Sequence, residues 1–153
     1  MTSRLLLIEF IWWLITAVVV TVVMYPIWRD FPAFRFNAVN IGYIVAFVTF
    51  TRVAFLLKYT FLAQAQYAKI GFVLLTFAIV LGFATQIQSF NVWIDNGDPE
   101  VLLAATTASK RESLLNYIRS EFLFFAIGAI ISAFLLSGRL LVSVWRLRNR
   151  GKA

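Results

Sequence analysis

Four apolar stretches punctuate the chain, at residues 5–28, 40–62, 70–90 and 122–145, each interrupted by few charged or amide side chains. An α-helix rises 1.5 Å per residue, so roughly 20 apolar residues cross a hydrocarbon layer about 30 Å thick. The pattern predicts an all-α integral membrane protein with four transmembrane helices. Residues 91–120 form the long hydrophilic element between the third and fourth spans. Its "DNGDPE" combines an Asn-Gly turn with Asp98 placed to cap a helix that has Pro99 at its first position. "SKRE" then offers a second start, with Ser109 capping and Glu112 three residues later as a capping box. The expectation is a short helix over 99–107 at the outer surface, then a helix from about Lys110 that runs into the fourth span. No repeat, low-complexity tract or Pro/Gly/Ser-rich linker divides the sequence, so 1–153 reads as one domain.

The first span follows "MTSR" and invites comparison with a signal peptide. Its apolar run is too long for one, it holds Trp12 and Trp13, and no small-x-small cleavage site precedes Pro26, so it reads as a retained helix.

Orientation follows from the basic residues, because cytoplasmic flanks of membrane helices are enriched in Lys and Arg. The tail 146–153 contributes Arg146, Arg148, Arg150 and Lys152. With an even number of spans, Arg4 and Lys69 fall on that same side. The opposite side mixes bases with Asp30, Asp95, Asp98, Glu100 and Glu112. The expectation is N-in, C-in: a multi-pass protein of the cytoplasmic (inner) membrane with both termini cytoplasmic. Tyr25, Trp28, Tyr43 and Trp93 mark the outer interface, and Tyr59, Tyr67 and Trp145 the inner one. The tail should also attract anionic lipid, by about 1 kcal/mol per charge near the surface.

Composition sharpens what the protein does not do. Of 153 residues, 61% are apolar and 16 are Phe, well beyond the roughly half expected of a soluble domain. With no Cys and no His, thiolate nucleophiles, thiolate-bound metals and the commonest general base and haem ligand are all missing. No cofactor is expected. The net charge of +7 sits at the edges of apolar runs, where it signals topology rather than nucleic-acid binding. No nucleophile elbow, phosphate-binding glycine loop or catalytic carboxylate pair occurs, so the chain reads as a non-enzyme.

One polar cluster stands inside the apolar runs. If Arg4 and Lys58 mark the cytoplasmic edge, Arg52 lies about 9 Å within the membrane, Glu9 about 7.5 Å and Arg139 about 10 Å. An unpaired arginine at the bilayer centre costs at least about 2.5–3.5 kcal/mol, so the expectation is a Glu9–Arg52 pair, with Arg139 as a competing partner and Thr49 on the same helix face. Such a cluster either fixes helix register, with Lys58 and Arg139 snorkelling, or forms an ion, proton or lipid site.

Small residues on a helix allow close approach of a second helix, the chief source of association where lipid removes the hydrophobic advantage. Gly71, Ala78 and Gly82 line one face of the third span, and Ala129 and Ala133 one face of the fourth. These stripes either meet each other or meet another chain. The loop "DFPAFRF" carries Phe31, Phe34, Arg35 and Phe36, residue types that anchor interfaces, and is expected in the headgroup zone or against a partner. The function expected is a small non-catalytic accessory or scaffold subunit of a larger cytoplasmic-membrane complex, with membrane lipids and other integral membrane subunits as partners. The alternatives are a small ion or solute transporter or channel, possibly homo-oligomeric, using Glu9, Arg52 and Arg139, and a protein that binds anionic lipid.

Overall fold

The computed structural model describes the backbone of residues 3–57, 60, 62, 66–103 and 106–150, and the side chains of those from 6 to 149. Five helices follow one another: α1 (Ser3–Asp30), α2 (Asn37–Leu56), α3 (Gln66–Asp95), α4 (Asp98–Leu102) and α5 (Ala108–Arg150). Four of them, all but α4, are long and apolar enough to cross a membrane, the architecture of a multi-pass membrane protein. There is no strand among the described residues.

The helices do not stop where the apolar runs stop. A helix with 43 residues such as α5 extends about 64 Å, twice what a hydrocarbon layer requires. At the other extreme, α2 ends at Leu56 rather than running to 62. Both the backbone N–H and the hydroxyl of Thr60 donate to the Leu57 carbonyl, at 3.1 and 2.8 Å, and close a tight turn. Lys58, expected at this end, lies outside the described residues.

The connection after α3 also differs from expectation. Gly97 takes the left-handed conformation, φ 74°, that a residue without a Cβ adopts without steric penalty. Its carbonyl accepts the Glu100 N–H at 3.0 Å. Asp98 is therefore the first helical residue rather than the cap, and α4 ends at Leu102, short of 107. The next helix begins at Ala108, before Ser109, with the Arg111 N–H donating to the Thr107 carbonyl at 2.9 Å. Ser109 is thus inside the first turn and is not its cap.

Packing is organised on α2 and α5, which lie parallel. Asn40 meets Glu121, an offset of 81 residues, and the same offset recurs where Phe47 meets Gly128. The small face of α5 is consumed in the interior: Ala126, Ala129 and Ala133 are fully buried, with Ser132 and Ser137 nearly so. α3 runs antiparallel to α5, pairing Lys69 with Ser143, Phe77 with Phe134 and Phe90 with Phe122. α1 runs antiparallel to α2 and is the most exposed of the long helices.

At the end of the bundle where α1 finishes, the loop 31–36 turns its rings inward. Phe31, Phe34 and Phe36 are buried against Trp93, and Phe36 also meets Phe90 and Phe122 edge-on at 5.6 and 6.0 Å. The expectation of a partner-facing aromatic loop is therefore corrected. These rings fill the fold's own core, while Pro32, Ala33 and Arg35 are exposed, Arg35 beside the Phe36 ring. The reason is that α3 and α5 leave room between Phe90, Trp93 and Phe122, and aromatic contacts of this kind add about 0.5–1.5 kcal/mol each beyond area burial.

The same end is stitched by polar contacts. Trp28 Nε1 donates to Asn37 Oδ1 at 2.9 Å, and Lys110 reaches Asp30 at 2.8 Å. Pro26 sits inside α1, where the missing N–H and the ring disturb the preceding turn. Tyr117 donates its hydroxyl to the Val23 carbonyl of that turn at 2.7 Å, the way a neighbouring helix re-satisfies backbone near a proline.

Two glycines discriminate between interior and surface. A Cβ on Gly128 would lie 2.9 Å from the Phe47 ring, whereas one on Gly82 would meet nothing within 4 Å. Gly128→Ala should lower stability by about 1–3 kcal/mol through overpacking. Gly82→Ala should raise it by up to about 0.5–1 kcal/mol through helix propensity. Unfolding of the isolated chain in detergent measures both; equal effects would contradict the described α2–α5 contact.

Candidate functional site

α2 contributes to two polar sites that interrupt the apolar interior. In the first, Arg52 on the last turns of α2 forms an ion pair with Glu9 on the second turn of α1. The Arg52 side chain is 9% exposed and that of Glu9 25%, so the cation is the more deeply enclosed partner. The Arg52 guanidinium also lies 5.8 Å from the centre of the Trp12 ring, one turn after Glu9, so α1 offers it both a carboxylate and a π-face. Antiparallel packing of α1 on α2 brings these residues level. The unit is neutral and joins two helices that otherwise share little surface.

Other members of the expected cluster are elsewhere. Arg139 is exposed on α5 and forms no ion pair with Glu9 among the described residues, and the α1–α5 contacts through Tyr117 and Lys110 lie at the opposite end of α1. Thr49 is half-buried one turn before Arg52. Arg146 and Arg148 are exposed, as a solvated or lipid-facing tail requires, while the Arg150 side chain and Lys152 are outside the described residues. Of the small-residue positions, Ala129 and Ala133 are buried, but Gly71, Ala78 and Gly82 all face outward.

The second site was not anticipated. Asn40 on α2 is fully buried and donates from Nδ2 to Glu121 on α5, and also to Met24 Sδ on α1 at 3.3 Å. Glu121 is itself 8% exposed. Three helices therefore converge on one amide and one carboxyl, and Asn40 Oδ1 and Glu121 Oε2 are buried without a hydrogen-bond partner. A third buried polar contact ties Lys69 of α3 to Ser143 of α5 at 3.0 Å. The signal that could have found Glu121 is its helical phase. It precedes buried Phe125 and Ala129 by one and two turns, so it stands on the inward face although it borders the polar segment.

Two open concavities lie among the described residues. One, about 260 Å³, is an apolar groove where Phe47 lies beside Gly128; the other, about 440 Å³, carries Glu100, Arg111, Glu112 and Arg119 between α4 and α5. Among the described residues, no group of three or more Asp or Glu side chains is placed to hold a metal ion.

Glu9→Gln leaves the enclosed Arg52 without its carboxylate. The expected loss is roughly 1.5–3 kcal/mol, the range for hydrogen bonds to charged groups, since Glu9 is too exposed for the full penalty of a buried pair. Combining it with Arg52→Gln should restore part of the loss, because both polar partners are then neutral. A double-mutant cycle on unfolding in detergent measures the coupling; strictly additive losses would contradict a direct pair. No protein-family model matches the chain, and comparison with curated proteins and with solved structures returned no match.

Proposed function

We infer that the protein is a small non-catalytic accessory or scaffold subunit of a larger assembly in the cytoplasmic membrane, oriented N-in, C-in. The observation that carries this reading is the unequal use of two small-residue faces. The face of α5 is buried within the chain, whereas Gly71, Ala78, Gly82, Thr85 and Ser89 follow one another along the outward face of α3. Exposed Gln86 and Gln88 accompany the same helix near its outer end. Amide side chains facing hydrocarbon leave their hydrogen-bonding groups unsatisfied, and small residues permit close backbone approach. Both features suit a transmembrane helix of another integral subunit laid along α3. The polar interior supports a structural role: Glu9 and Arg52 neutralise each other and clamp α1 to α2. The exposed Arg146 and Arg148 of the tail suit contact with anionic lipid on the cytoplasmic face.

The experiment uses bulk at positions where the chain itself has room. Ala78→Leu with Gly82→Leu should not destabilise the isolated protein, its unfolding free energy staying within about 1 kcal/mol of wild type, since both positions are exposed and loss of the glycine favours the helix. The same variant should lose the membrane proteins that co-purify with wild type from native membranes in mild detergent. If wild type brings down no companion at all, the subunit reading is wrong and a self-contained transporter takes its place. Orientation is checked separately with reporters after Ala153 and near Asn96. Activity of a cytoplasm-dependent reporter only at the first position is the expected result, and the reverse would overturn the topology.

A further inference from the structure

The site where α1, α2 and α5 converge has a hydrogen-bond inventory that does not close with the groups present. Asn40 has two amide hydrogens, and both are used, one on Glu121 Oε1 and one on Met24 Sδ. What remains buried is a pair of acceptors, Asn40 Oδ1 and Glu121 Oε2, on the two groups that already touch through their other atoms. Neither has a donor. An amide and an ionised carboxylate can share only one hydrogen bond of this type, whereas an amide and a carboxylic acid share two, since the acid O–H donates where the amide carbonyl accepts. Turning the amide over does not remove the need, because it would set Oδ1 against the carboxyl oxygen, acceptor against acceptor.

The surroundings supply no alternative charge. On α1 the neighbours are Met24 and the Val23 carbonyl, and that carbonyl already accepts the Tyr117 hydroxyl from α5. On α2 the nearby titratable group is Tyr43, whose hydroxyl is donated to the Phe83 carbonyl of α3 at 2.8 Å. The α3 side of this region is apolar, with Phe90 stacked on Phe122. Arg119 and Arg35 are exposed, and the ion pairs among the described residues involve Glu9 and Asp30, not Glu121. A carboxylate enclosed without a cation takes up a proton instead.

We propose that Asn40 and Glu121 form a proton-binding site, in which one proton on Glu121 Oε2 is donated to Asn40 Oδ1 and closes a two-bond acid–amide ring between α2 and α5. The ring is where the proton is held, and its loss leaves a carboxylate facing a carbonyl oxygen at the junction of three helices. The site binds the proton in the folded chain, while an exposed glutamate in the unfolded chain has an ordinary value of about 4.3 and has already lost it near neutrality. The folded state thus carries the extra proton. Its contribution to stability is complete at acid pH and is lost as pH rises through the titration of the folded site, by at most tenfold in the unfolding constant per pH unit.

The test uses the full chain in vesicles of neutral phospholipid. Infrared spectra at neutral pH should show a carboxylic-acid carbonyl band that fades as pH is raised. The band should be absent in Glu121→Gln and should persist, shifted to the frequency of a less hydrogen-bonded acid, in Asn40→Leu. Glu121→Gln preserves both bonds with an amide hydrogen in place of the acid proton, so its unfolding constant should be flat over the pH range where wild type weakens. Absence of the band from wild type, or its survival in Glu121→Gln, overturns the proposal. So does a carboxylate band that moves when sodium or potassium is added at constant pH, since that result assigns the two oxygens to a metal cation.

Discussion

The fold depends on one close approach, the parallel pairing of α2 with α5. It is possible because Gly128 has no side chain and Phe47 lies against the bare backbone at that point. Once that contact is made, register along both helices is set. Asn40 falls opposite Glu121 at one end, and Ala54 falls beside Leu135 toward the other. The buried alanines of α5 extend the same approach, and α3 packs along α5 with its own aromatic residues. α1 adds little apolar burial and is held by polar contacts at each end: the Glu9–Arg52 pair, and the Tyr117 and Lys110 contacts. In a setting where lipid competes with every apolar contact, such polar and small-residue contacts decide which helices stay together.

This division of labour explains why the two polar sites differ in character. Arg52 has a full countercharge and a π-face, so its position is that of a satisfied buried cation. Glu121 meets the Asn40 amide, which is neutral and donates as well to the Met24 thioether. Both sites couple α2 to a neighbour, but only the second has polar atoms to spare. A half-satisfied polar network is the part of an interior most responsive to its surroundings, because each missing bond carries the full desolvation penalty of a buried group.

Sequence reasoning reached the four long helices because apolar run length is a property of composition alone. It also placed Glu9 level with Arg52 by counting helical rises from basic residues, and the structure joins them. It could not sort the two small-residue stripes, since Gly71, Ala78 and Gly82 fall on one helix face by the same periodicity as Ala126, Ala129 and Ala133 and the two sets differ in what tertiary packing lays against them. The loop 31–36 was misjudged for a related reason. Alternating rings read the same whether they turn toward lipid or toward Trp93, and Trp93 is 57 residues from Phe36 along the chain. Glu121 was overlooked because its neighbours Arg119 and Ser120 gave it the look of an edge residue, although its helical phase pointed inward.

The parallel pairing has a consequence for biogenesis. Helices adjacent in sequence can form a hairpin as soon as the second emerges, but the principal pair here is separated by 81 residues, with α3 between them. At a synthesis rate of about 5–20 residues per second, the face of α2 that carries Asn40 and Phe47 waits roughly 4–16 s for α5. During that interval α2 has α1, through Glu9 with Arg52 and Met24 with Asn40, and then α3, through Tyr43 on the Phe83 carbonyl, to keep it from drifting or being captured by other nascent helices. The last helix to be made is the one that completes the core, so premature termination between the end of α3 and Gly128 yields a chain with three long helices and no centre.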